Sequence, residues 1–137
     1  MASRMKSWRD RLEQSREPEV KRLSSPFAGL VPGTQMLVSS PREVNEWIRA
    51  IPYGKTHTVE HLKQNLVRRH GAEAACPASI MIFLRVVAEA AWEELEDGAE
   101  VDQVTPFWRV IEPDSKIARK LSCGAQFIRE QRDREAF

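Results

Sequence analysis

The chain has 137 residues, 30% charged and 42% hydrophobic, with a formal net charge of +1. That length suits one folded domain with an appended segment, and the near-neutral balance excludes a global basic field, so any affinity for a polyanion must come from a local patch. No apolar run approaches the roughly 20 residues that span a bilayer, and the first residues lack the apolar stretch of a secretory signal, so a cytoplasmic protein without a membrane partner is expected.

Cys76 and Cys123 have no CxxC spacing and no neighbouring ligand cluster. No metal and no cofactor is therefore expected, and both thiols should stay reduced.

In chain order, residues 1–38 are expected to form an N-terminal arm or helical extension. A short charged helix over 6–14 would set Trp8 and Leu12 on one face. Glu17-Pro18-Glu19 interrupts it, Val20 and Leu23 imply another helical turn, and Pro26, Pro32 and Gly33 punctuate the remainder of the arm. The arm should lie along the main domain through Trp8, Leu23, Phe27, Leu30 and Met36, outside the core.

The domain itself, residues 39–137, opens on Ser40-Pro41-Arg42-Glu43. Ser40 can cap a helix, Pro41 suits its first position and Glu43 would complete a capping box. Val44, Trp47, Ile48 and Ile51 then recur on one face. A second helix should start after Thr58, with Val59, Leu62, Leu66 and Val67 inward and Gly71 as terminator. Arg68, Arg69 and His70 in its last turn complement the helix dipole. A third helix begins near Cys76-Pro77 and is apolar nearly all round from Ile80 to Val87, so it should be largely buried.

Residues 104–111, Val-Thr-Pro-Phe-Trp-Arg-Val-Ile, combine adjacent aromatics with β-branched residues, and their second half reads as a short strand. Glu112-Pro113-Asp114-Ser115 is a turn signal. With the strand, residues 116–121 could supply a wing beside the helix pair, and residues 126–135 read as a charged terminal helix docked by Phe127 and Ile128. The fold class expected is mainly α with a short β element, a winged-helix-like helix-turn-helix domain.

Three segments in this order carry a resemblance: Ile51-Pro52-Tyr53-Gly54-Lys55-Thr56, then Thr105-Pro106-Phe107-Trp108-Arg109-Val110-Ile111, then Leu121-Ser122-Cys123-Gly124. Over roughly residues 41–131 the chain resembles the DNA-binding domain of the O6-alkylguanine-DNA alkyltransferases, and more closely their non-catalytic alkyltransferase-like relatives. The middle segment is similar to that family's active-site motif, normally Pro-Cys-His-Arg-Val. Here Phe107 stands for the cysteine and Trp108 for the histidine. Neither can be a nucleophile or take a proton, so alkyl transfer is not expected and the protein should not be an enzyme.

The resemblance implies recognition or flipping of alkylated bases in DNA repair without alkyl transfer. The partner would be double-stranded DNA, plain or alkylated, with a repair protein as a further partner and a monomer as the expected state. A base pocket would be lined by Pro106, Phe107, Trp108, Val110, Ser122 and Gly124. Lys55, Thr56, Thr58, Lys63, Met81, Arg85 and Lys116 would contact DNA. Arg109 would be structural, its guanidinium paired with a carboxylate or several backbone carbonyls.

Two departures favour a different class of function. Val59 stands where the family usually has a tyrosine, and Met81 falls near the position of its intercalating arginine. Met81 can be an apolar wedge in an opened base step or simply a core residue. The stretch 93–102 is also acidic, which opposes a phosphate backbone. The alternative is a protein-interaction or regulatory module on the same fold that has lost DNA binding. An enzyme using Cys76 or Cys123 is a third reading, and neither thiol has a sequence-evident base.

Overall fold

The computed structural model describes residues 7–136. It is mainly helical, with a three-stranded sheet. No helix among the described residues is long and apolar enough to cross a membrane.

Helix α1 (Trp8–Glu13) starts because Ser7 caps it. The Ser7 hydroxyl accepts from the Asp10 N–H at 3.1 Å, and the Asp10 carboxylate accepts from the Ser7 N–H at 3.3 Å. Strand β1 (Glu19–Arg22) pairs antiparallel with β2 (Gln35–Val38), Val20 opposite Leu37. The helical turn expected around Val20 and Leu23 is thus a strand. Its backbone groups find partners on β2, and that long-range pairing overrides the local apolar spacing. β2 also pairs in parallel with β3 (Ala74–Ala75).

The expected boundary at residue 38 does not separate core from arm. Leu37 is fully buried within the main hydrophobic cluster and Leu12 packs against it. Met36 is buried as well, so the end of this segment is part of the domain.

Helix α2 (Pro41–Arg49) is capped by Ser40, which accepts from the Glu43 N–H at 3.1 Å. The other half of the expected capping box does not form. The Glu43 carboxylate instead takes the Ser39 hydroxyl at 2.6 Å and lies 2.7 Å from His70 Nε2 and 3.5 Å from Arg69. A buried carboxylate with those three groups in reach gains more there than from one backbone N–H.

Helix α3 (Val59–His70) runs from the Thr58 cap to Gly71, which adopts a left-handed φ of 64°. After β3, helix α4 (Pro77–Glu96) crosses the molecule and packs against α1 and α2. Its middle, Val86 to Ala91, is enclosed, but the apolar run from Ile80 to Val87 is only partly buried, through Ile80, Leu84, Val86 and Val87. Within that run Met81 and Ile82 point outward, 37% and 60% exposed, contrary to the expectation of a largely buried helix.

Residues 107–109 form a single 3-10 turn rather than a strand. Pro106 precedes it, and the N–H groups of Val110 and Ile111 both donate to the Phe107 carbonyl, at 3.1 and 3.0 Å. Val104 to Trp108 is buried with no strand alongside, so the backbone must satisfy itself locally. The segment expected as a wing is helix α5 (Lys116–Lys120), started by Ser115, whose hydroxyl accepts from the Ala118 N–H at 3.3 Å. Helix α6 (Gly124–Glu135) closes the fold and buries Ile128 and Glu135. Ile48, Leu62, Leu66, Val87 and Val110 share one core, with Trp47 and Phe83 packed on it.

Candidate functional site

The residues that carry the resemblance divide between a locked centre and an open groove. The centre is built on Arg109. Its Nε and Nη2 donate to the two carboxylate oxygens of Glu135 at 2.8 and 2.9 Å, and Nη1 donates to the Ile51 carbonyl at 2.7 Å. Trp108 Nε1 donates to the same carboxylate at 2.7 Å, and the Gly54 N–H reaches it at 3.4 Å. Burial alone would raise the Glu135 carboxyl, but hydrogen bonds from Arg109, Trp108 and Gly54 outweigh it and hold the group below its ordinary value. The His57 N–H donates to the Arg109 carbonyl at 2.9 Å, and Arg132 Nε donates to the Trp108 carbonyl at 2.7 Å. The turn at residues 51–57, the 3-10 turn and the end of α6 are therefore one hydrogen-bonded unit.

Glu135 is the residue that sequence reasoning missed. Its signal was its spacing, seven residues after Ile128 and hence on the same face of α6.

Phe107 and Trp108, expected along a base pocket, are fully enclosed. Their rings meet edge to face at 5.3 Å between centroids, and Phe127 packs on both, at 6.0 and 5.9 Å. Aromatic rings that fill their own core leave no free face for a base to stack on. Pro106 is buried beside them. Ser122 and Gly124 do not line the groove that Val110 borders. The Ser122 N–H and hydroxyl donate to the buried Glu89 carboxylate at 3.2 and 3.1 Å, and Gly124 starts α6 with φ of 78°.

Val110 and Ile111 border a groove of about 250 Å³ between α3, α4 and α5, which Val59, Met81, Glu112, Ser115, Lys116 and Ile117 also line. A second cleft of about 320 Å³ continues past Met81, Lys116 and Ile117 to Ile82, Arg85 and Lys120. Of the expected DNA-contacting residues, Met81, Arg85 and Lys116 come together here. Lys55 and Thr56 are exposed in the turn before α3, apart from the groove wall. The Thr58 hydroxyl is engaged as the α3 cap, and Lys63 pairs with Glu60 at 3.5 Å. Ile82 and Lys120 were not singled out from sequence. Ile82 was hidden inside an apolar run that looked like core, and Lys120 in a segment expected to be a wing.

Arg85 lies 3.8 Å from Glu89 and places its guanidinium over the Trp8 ring at 5.3 Å. Cys123 is half-buried near the same carboxylate, and burial with the Glu89 charge pushes its thiol up to about 11. At neutral pH it is essentially all thiol, which is a poor nucleophile. No group of three His, Cys, Asp or Glu side chains among the described residues could hold a metal ion. Comparison of the chain with family models, with curated proteins and with solved structures found no match.

Proposed function

We propose that this is a non-enzymatic, alkyltransferase-like DNA-binding protein that works as a monomer. Helices α3 and α4 act as its helix-turn-helix, with helix α5 beside them where a wing was expected. The observation that carries the reading is the outward Met81–Ile82 pair on α4, beside the groove and bordered by Arg85, Lys116 and Lys120. An apolar wedge on a helix with cations around it suits entry into an opened base step. A groove of about 250 Å³ sits just below the roughly 300 Å³ at which drug-sized pockets begin, a scale suited to a single base. The flipped base would rest against Val59, Val110 and Ile111 rather than on Phe107. Phe107 and Trp108 offer no nucleophile and no base, so the alkyl group stays on the DNA.

The acidic stretch opposes DNA less than its composition implies. Arg9 pairs with Glu93 and Asp97, and Arg134 lies 3.4 Å from Asp102. A protein-interaction module is the second reading, favoured by the same exposed Met81 and Ile82, which would suit an apolar partner surface equally.

Titration of short duplexes with and without one O6-alkylguanine separates the two. Binding at low salt with preference for the alkylated duplex, and no mass gain on the protein, is the expected result. Absence of binding to both duplexes gives the interaction module precedence, and a covalent adduct on either cysteine overturns the non-enzymatic reading.

A further inference from the structure

Ile82 is a wall shared by two clefts. On one side lies the cleft with Arg85, Lys116 and Lys120 at its edge. On the other, a cleft of about 370 Å³ separates α4 from the N-terminal segment, and Arg11, Arg16 and Lys21 stand on its rim above Phe83 and Val86. Cations therefore flank the exposed ridge of α4 on both sides.

The N-terminal rim is held in place. The Glu93 carboxylate on α4 accepts the Trp8 and Arg9 N–H groups at 3.2 and 3.0 Å, at the positive end of the α1 dipole. Arg42 Nη2 donates to the Glu13 carbonyl at 2.9 Å, tying the other end of α1 to α2. The Arg11 guanidinium lies over the Trp8 ring at 4.5 Å. Glu17 and Glu19 line the same cleft, and Glu19 pairs with Lys21 at 3.3 Å. Arg11 and Arg16 have no carboxylate partner among the described residues, so they carry that rim's available charge.

A protein helix laid into a duplex groove has a sugar–phosphate strand on each flank, about 12 Å apart across the major groove and about 6 Å across the minor. Cations on one flank can neutralise only one strand. We infer that residues 7–22 form the second jaw of a phosphate clamp. Arg11 and Arg16 meet one strand, Lys116 and Lys120 meet the other, and Met81 and Ile82 enter between them. This rests on the DNA-binding reading and assigns the N-terminal segment a part in it.

The test is the salt dependence of affinity for a plain, fluorescently labelled duplex, measured on the full chain. Each phosphate contact contributes about 0.9 to the log–log slope, so Arg11→Gln with Arg16→Gln should flatten it by roughly 1.8. Lys116→Gln with Lys120→Gln should do the same. Arg11→Lys with Arg16→Lys keeps the charge and should restore the wild-type slope, which separates charge from packing on Trp8; melting curves confirm that each variant is folded. A wild-type slope in the folded protein with Arg11→Gln and Arg16→Gln, beside a flattened slope with Lys116→Gln and Lys120→Gln, overturns the clamp and leaves DNA binding standing. No binding by the unmodified protein at low salt overturns both.

Discussion

The two ends of the 104–121 stretch contrast sharply. Around Arg109, every strong donor has an acceptor: one carboxylate takes hydrogen bonds from two side chains and a backbone N–H, and a carbonyl takes the last guanidinium nitrogen. Around Lys116, a few residues further on, apolar side chains stand exposed, and Lys116 and Lys120 have no carboxylate partner among the described residues. The first region fixes where the helices sit, whereas the second is left unsatisfied. Residues that stabilise and residues that could bind are thus neighbours in sequence and separate in role, and a motif that spans both cannot be assigned one role.

Breaking the locked region should give the largest effects. Arg109→Ala leaves Glu135 as a buried carboxylate without its cation, which should cost about 3–5 kcal/mol in a denaturant titration. Arg109→Lys keeps the charge but cannot span both carboxylate oxygens and the Ile51 carbonyl, so it should fall between alanine and wild type. Phe107→Ala removes an enclosed ring and should also cost about 3–5 kcal/mol. That outcome would mark Phe107 as core. A Phe107→Ala protein of wild-type stability would instead mean that the ring is free to stack on a ligand.

The same contrast predicts a pH dependence. Glu135 is held below the unfolded carboxylate value of about 4.3, so its contribution is fully present above that pH. It is lost as pH falls through the lower, folded value, because the unfolded chain takes up the proton more readily. Melting temperature should therefore drop with acid more steeply in the wild type than in Glu135→Gln. Parallel curves would show that the carboxylate is not held by its partners.

Legibility in the sequence tracks the range of the interaction. The starts of α2 and α3 and the end of α3 were legible because Ser40, Thr58 and Gly71 act on backbone groups within a few residues. β1 was not, because its strand character comes from β2, and Val20 meets Leu37 only after the chain has turned back. The 3-10 turn at residues 107–109 was misread for a related reason: Phe, Trp and Val favour extended chain, but a strand needs a neighbour and none lies there. Of the site, the need of Arg109 for a carboxylate was legible and the identity of that carboxylate was not. Met81, Arg85 and Lys116 were named, yet Ile82 read as core because hydropathy reports the side chain and not which way the helix turns it.

The open region should give the smallest stability effects and the most specific binding ones. Ile82→Ala removes a side chain that is 60% exposed and should change folding free energy by no more than about 0.5 kcal/mol, while Met81→Ala, at 37% exposure, should cost about 1 kcal/mol. On DNA the same side chains would become buried. At about 25 cal/mol per Å², covering some 40 Å² of apolar surface is worth about 1 kcal/mol, or roughly fivefold in affinity for each residue. The loss should be the same at low and high salt, since no phosphate contact is removed, whereas Lys116→Gln should change the slope. Met81 borders the groove and Ile82 does not, so Met81→Ala should also weaken the preference for an alkylated over a plain duplex. Ile82→Ala should weaken both duplexes alike. If the two variants behave identically, the groove beside Met81 is not where the base goes.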